Sequence, residues 1–201
     1  MEHRRGPEAV LFDLGGVLLP FDRERRVRAV VEALAISEAA ARRALSPERF
    51  ARLDLGLCDQ REFAAVFSVA AARDVSPDEA RALILSVFEA PNLELWRLAM
   101  RLKARLTVGA LSDNPAFVRR MFPEKDVLEP VFLSAEIGAC KPSARLFAAV
   151  EGALGLPPSA LLLIDDTAAN CVAARARGWD AIAYVDPVSL ASSLEERGLP
   201  T

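Results

Sequence analysis

Histidine is almost absent from this 201-residue chain: the only one is His3, in a polar N-terminal stretch, and the three cysteines, Cys58, Cys140 and Cys171, form no CxxC pair. No zinc constellation can be assembled from that set, and an odd number of scattered thiols suits a reducing compartment. Charge of one sign is lacking as well. The 25 basic and 28 acidic residues are interspersed to a net charge of -3, so neither nucleic acid nor an anionic membrane would meet a large positive field. Long apolar runs are missing too. Stretches such as Ala160 to Ile164 fall far short of the roughly 20 residues that span a bilayer. The basic residues at the N-terminus lead into an apolar stretch that Asp13 soon interrupts, which does not read as a signal peptide. These absences point to a cytoplasmic protein that acts on a small molecule and has no nucleic-acid or membrane partner. They set no oligomeric state.

What is present is a hydrophobic content of 52%, enough for one buried core and a modest subdomain. Five short apolar runs read as buried parallel strands: Ala9 to Asp13, Leu106 to Leu111, Val131 to Ser134, Leu161 to Asp165 and Ala181 to Val185. Helical patterns separate the last four. One follows Asn114 and Pro115, a second carries Leu146, Phe147, Val150 and Leu154, and a third runs from Ala168 to Arg177 and stops at Gly178. This alternation predicts an α/β fold with a doubly wound, Rossmann-like parallel sheet. The first two strands are separated by repeated helix starts instead. Val27, Val30, Val31 and Leu34 form an amphipathic stripe; Ser46 with Pro47, Asp59 with Glu62, and Ser76 with Pro77 and Glu79 mark further N-termini. Residues 18–90 are expected to form a small helical cap, with residues 1–17 and 91–201 as the core.

In an open parallel sheet, ligands bind at the carboxyl ends of the strands. The polar residues there are Asp13, Ser112, and Asp165 with Asp166, and Lys141-Pro142 follows the third strand. Three carboxylates in one crevice disfavour joint ionisation, which a divalent cation relieves, and Mg²⁺ prefers a few carboxylates with water and phosphate oxygens. Lys141 supplies a point charge able to hold a carboxylate and a phosphoryl group together. Ser112 offers a hydroxyl donor. Gly15 and Gly16 keep the turn after Asp13 open, and the helix starts at Asn114-Pro115 and Asp166-Thr167 aim positive dipole ends at an anion. Asp22 and Arg25, where the insertion begins, are candidates for substrate contact.

FDLGGVL, LSDN, KP and LLLIDDTAAN, in that order, resemble the four motifs of the haloacid dehalogenase-like (HAD) hydrolase superfamily. Within it, DLGGVL followed by FDRER, LSDN and KPSARLF is most similar to a bacterial group that includes α-D-glucose-1-phosphatases. The resemblance implies a Mg²⁺-dependent hydrolase of a small phosphorylated metabolite, such as a sugar phosphate, working through a phosphoaspartyl intermediate. It implies Asp13 as nucleophile and metal ligand, the Gly15 carbonyl and Asp165 as further ligands, and Ser112 and Lys141 as phosphate-binding groups. Asp166 and Asn170 would support the metal shell, with Gly16 and Asn114 near the phosphate. The short span from Ser112 to Lys141 leaves no room for a cap there, so the cap belongs after the first motif.

Two positions depart from the family pattern. Its phosphatases carry a second aspartate two residues after the nucleophile, as proton donor to the leaving group, where this chain has Gly15. The residue after Ser112 is Asp113, often Asn in similar proteins, which adds negative charge near a phosphate site. The competing readings are a catalytically decayed phosphate-binding protein and a 2-haloacid dehalogenase.

Overall fold

The computed structural model describes residues 6–121 and 128–201, so His3 lies outside the described residues. Five strands, β1 (Ala9–Phe12), β2 (Thr107–Ser112), β3 (Val131–Leu133), β4 (Leu161–Asp165) and β5 (Asp180–Ala183), form one sheet in the order β3-β2-β1-β4-β5. Every pairing is parallel. The strands coincide with the apolar runs of the sequence to within one or two residues. β1 is central and buried along its whole length, because both of its faces are covered. Val10 and Phe12 point into one apolar cluster with Val108, Leu162 and Ile164, whereas Ala9 and Leu11 join Leu111, Leu163, Phe147 and Trp179 on the other side. That two-sided burial makes parallel strands continuous apolar runs rather than alternating ones.

Between β1 and β2 lie α1 (Arg23–Leu34), α2 (Glu38–Ala44), α3 (Pro47–Asp54), α4 (Gln60–Ala71), α5 (Pro77–Leu85) and α6 (Leu93–Lys103). The first five enclose a cluster of their own, including Val27, Val30, Leu34, Phe63, Phe67 and Leu83, with Val31 at its margin. Their caps are those read from the sequence. Ser46, Asp59 and Ser76 each accept a hydrogen bond from a backbone N–H of the following first turn, satisfying donors that the helix leaves unpaired. Glu62 does not complete a capping box; it pairs with Arg52 at 3.2 Å.

The two chain segments at the base of this helical insertion are tied together. Phe21 bridges Phe88 in antiparallel fashion, and Asp22 N–H donates to Val87 O at 3.0 Å. At the far side, the Ser134 hydroxyl donates to the Asp54 carbonyl at 2.6 Å. The remaining helices are α7 (Ser134–Ile137), α8 (Ala144–Leu154), α9 (Ala168–Ala176) and α10 (Pro187–Glu195). After Pro115 the described chain makes a 3₁₀ helix, Ala116–Met121, where an α-helix was expected.

Candidate active site

The strand order places the ends of β2, β1 and β4 side by side, where Ser112 and Asp165 close their strands and Asp13 follows β1. β2 and β3 lie on one side of β1 and β4 and β5 on the other, and sheets open a crevice where the strand order reverses in this way. Asp13 Oδ1 accepts hydrogen bonds from the Leu14 N–H at 2.7 Å and the Ser112 hydroxyl at 2.8 Å. Asn114 Nδ2 in turn donates to Ser112 Oγ at 2.9 Å, which directs the hydroxyl proton toward Asp13.

Lys141 is the hub of the crevice. Its ammonium stands 2.9 Å from Asp13 Oδ2 and 2.6 Å from Asp165 Oδ2, and it also donates to the Leu111 carbonyl at 3.1 Å. Burial opposes the charge of Lys141, but Asp13, Asp165 and Asp113 outweigh it and hold the pKa above its ordinary value. Burial pushes the Asp13 carboxyl up to about 6; Lys141 pulls it back, while Asp165 raises it. Asp165 is inaccessible to solvent and fully engaged: Oδ1 accepts from Thr167 N–H at 2.8 Å and Asn170 Nδ2 at 3.0 Å. Asn170 therefore orients Asp165.

Asp13, Asp165 and Asp166 each offer a carboxylate oxygen within 4.8 Å of the others. One ammonium faces these three acids, so a divalent cation fits the remaining negative charge. Gly16, at φ +80°, explains why no side chain follows Gly15: a Cβ there would stand 2.1 Å from Asp166 Oδ2. At Gly15 a Cβ would meet Phe21 at 3.3 Å and Phe88 at 3.7 Å. Two aromatic rings thus occupy the direction in which a side chain at position 15 would point.

A cavity of about 650 Å³ opens from Asp13 toward the inserted helices. Gly15, Ser112, Asn114, Asp166 and Asn170 line it together with Asp13. Asp22 and Arg25 are not brought there. Asp22 caps α1, accepting from Glu24 N–H at 2.8 Å and pairing with Arg28 at 3.0 Å, and Arg25 reaches toward Glu89 at 3.6 Å. Asp113 does line the cavity, and its Oδ1 accepts the Lys141 backbone N–H at 3.0 Å. The extra acid beside Ser112 thereby anchors the loop that carries Lys141. Cys140 is given no role beside Lys141: burial pushes its thiol up to about 11, and Asp113 adds to this.

Sequence reasoning missed Arg26 and Asp54, which line the cavity from the inserted helices. Arg26 precedes Val30 by one helical turn, so it falls on the inward stripe of α1. A charge in that register was the available signal. Asp54 closes α3 and had none.

The model of the family described as haloacid dehalogenase-like hydrolase matches residues 7–178. A D-ribitol-5-phosphate phosphatase of Bacteroides thetaiotaomicron is 24% identical over 85% of this chain and 88% of its own length. Among solved structures, a HAD family enzyme from Bacteroides thetaiotaomicron, in complex with magnesium and inorganic phosphate, superposes with a TM-score of 0.81 at 24% identity, covering 92% of this chain and 99% of that one. A HAD-like family hydrolase from Porphyromonas gingivalis gives a TM-score of 0.79 at 23% identity over 95% and 98%. With the sheet order, the motif-bearing strand ends and a family match over most of its length in agreement, this chain belongs to the haloacid dehalogenase-like hydrolases.

Proposed function

We propose that the protein is a Mg²⁺-dependent phosphomonoester hydrolase that cleaves a small phosphorylated metabolite through a phosphoaspartyl intermediate on Asp13. The observation that carries this reading is the placement of Lys141 between the two carboxylates, with Ser112 hydrogen-bonded to the first of them. The phosphatase and magnesium-bound relatives support it. Residues 18–90 act as the helical cap over a core of residues 1–17 and 91–201, in a cytoplasmic setting.

An ionised oxygen of Asp13 attacks phosphorus, forming the acyl phosphate bond as the ester P–O bond breaks. The departing alkoxide takes a proton from solvent water, and the leaving alcohol dissociates. Water then attacks the same phosphorus, breaking the P–O bond to Asp13 and releasing inorganic phosphate and the free carboxylate. In both steps the Ser112 hydroxyl and Lys141 ammonium lie close enough to Asp13 to donate to non-bridging phosphoryl oxygens, where negative charge must be held. Asp13, Asp165 and the Gly15 carbonyl would hold Mg²⁺, supported by Asp166 and Asn170; the ion supplies positive charge between the carboxylates and the phosphoryl oxygens. The Asp165–Asp166 pair, which gives the crevice its third carboxylate, favours this over haloacid chemistry, and the intact Asp13–Lys141 contact favours it over a decayed site.

The test is hydrolysis of p-nitrophenyl phosphate with and without Mg²⁺. Turnover that requires added Mg²⁺ is expected. Full activity after exhaustive chelation, or none under either condition, would overturn the proposal.

A further inference from the structure

The wall of the cavity supplied by the inserted helices is lined by groups that the phosphoryl chemistry does not use. Arg26 is 8% exposed, and its guanidinium lies 3.9 Å from the centroid of the Phe50 ring. Phe50 packs on Phe63 and Phe63 on Phe67, so the arginine rests on an aromatic ladder rooted in the core of the inserted helices. Its orientation is set before any ligand arrives, yet among the described residues it forms no ion pair and no side-chain hydrogen bond. A guanidinium has five donors and no acceptor, and this one lines the cavity, where a ligand can supply the acceptors.

Asp54 lies on the same wall. Its backbone carbonyl is held by Ser134, but among the described residues its carboxyl accepts no hydrogen bond. Burial, followed by the charge of Asp113, raises its pKa to about 7, against the pull of Arg26 and Arg23. Burial, followed by Arg23, lowers that of Arg26 to about 10, while Asp54 opposes the change. The two side chains influence each other's charge without closing to an ion pair, and both line the same cavity.

The charges that line this space discriminate among ligands. A second anion on the substrate would meet Arg26 but also Asp54 and Asp113, whereas a cation would meet those acids but also Arg23 and Arg26. An alkyl chain would leave both groups desolvated and unpaired. Hydroxyl groups serve both walls, because each accepts from a guanidinium and donates to a carboxylate. We propose that Arg26 and Asp54 bind hydroxyls of an uncharged, polyhydroxylated leaving group and thereby set specificity for polyol or sugar monophosphates. This rests on the phosphatase reading above and adds to it the residues that select the substrate.

The experiment compares kcat/KM of the full chain on ribitol 5-phosphate, glucose 1-phosphate, pentyl phosphate, 3-phosphoglycerate and fructose 1,6-bisphosphate, with p-nitrophenyl phosphate as reference. At least one of the two hydroxylated monophosphates should exceed the alkyl, carboxylated and bisphosphorylated compounds by 10-fold or more; which of the two leads distinguishes an open from a cyclic chain. Arg26→Met keeps the apolar stem on Phe50 and removes the donors; Asp54→Asn keeps the shape and removes the charge. Each should lower kcat/KM for the preferred substrate on the order of 10- to 100-fold, as loss of a charged hydrogen bond does. The loss should appear chiefly in KM and exceed that on p-nitrophenyl phosphate by 10-fold or more. Equal losses on both substrates would show a structural role and overturn the assignment. So would a wild-type preference for the alkyl, carboxylated or bisphosphorylated compound, a measurement that needs no variant to fold. No turnover of p-nitrophenyl phosphate by the wild type would instead bring down the phosphatase reading, and the inference with it.

Discussion

A methyl group on Gly16 would stand 2.1 Å from Oδ2 of Asp166, so the glycine after the nucleophile's turn is dictated by an acid that directly follows β4, about 150 residues further along the chain. Gly16→Ala must displace Asp166 and also place a Cβ at a φ of +80°, which costs roughly 1–3 kcal/mol in such backbone regions. The expected outcome is a lower Tm together with a higher Mg²⁺ concentration for half-maximal activity, read by titrating Mg²⁺ into the phosphatase assay. An unchanged Mg²⁺ requirement would separate Asp166 from the metal.

Asp13→Asn removes the anionic oxygen that covalent catalysis needs, and turnover should drop by roughly 10⁴-fold or more. In the wild type, beryllium fluoride should modify Asp13 alone, observed crystallographically. A mimic on any other carboxylate would move the nucleophile elsewhere.

Removing Asp165 does more than take away a ligand. Its Oδ2 is 2.6 Å from the buried Lys141 ammonium, so Asp165→Ala leaves that charge with less compensation. Losing one partner of a buried pair commonly costs about 3–5 kcal/mol. Asp165→Ala should therefore lose both activity and stability, whereas Asn170→Ala should lose activity with a smaller fall in Tm. Thermal melts of the two variants make the comparison.

The leaving group lacks a proton donor at position 15, and general acid help is commonly worth about 10² to 10⁴-fold. The dependence of kcat/KM on leaving-group pKa should fall steeply across aryl and alkyl phosphates. Gly15→Asp alone should not flatten it, because Phe21 and Phe88 occupy the space; Gly15→Asp combined with Phe21→Ala should. A flat dependence in the wild type would reveal a proton donor among the cavity acids. Asp22 caps α1 and pairs with Arg28, outside the residues that line the cavity.

Asp54 offers a pH test. Its carboxyl titrates near 7 in the fold, against 3.8 ordinarily, so between those values the native state binds more protons than the unfolded chain. Its contribution favours folding below about pH 4 and is lost as pH rises through 7. Asp54→Asn should then be more stable than wild type at pH 8, on the order of 1 kcal/mol or about 2–4 °C in Tm, with the difference vanishing toward pH 4. Calorimetry at pH 4, 6 and 8 reads it directly, with Asp113, Arg26 and Arg23 as the neighbours that set the midpoint.

The strands, the helical insertion and the acids at the strand ends were legible in the linear sequence, because each rests on local pattern. A parallel strand covered on both faces must be apolar throughout, as Leu161–Asp165 is, and helix starts need caps such as Ser46 and Ser76. Asp13, Ser112 and Asp165 could be read together because the sheet aligns strand ends whatever the loops do, whereas Lys141 lies in the loop between α7 and α8 and was read from its motif. Other features depended on tertiary contact. Asp22 looked like a substrate ligand and is a helix cap; Asp113 looked like an intrusion and holds the Lys141 loop. Gly15 looked like a vacancy and is roofed by Phe21 and Phe88. Arg26 and Asp54 carried no motif, since their meaning comes from facing a common space across segments that share no local pattern. The sequence by itself therefore determined the acids and the hydroxyl at the strand ends, because strand pattern is local, and the packing of the inserted helices against the sheet decided what faces them.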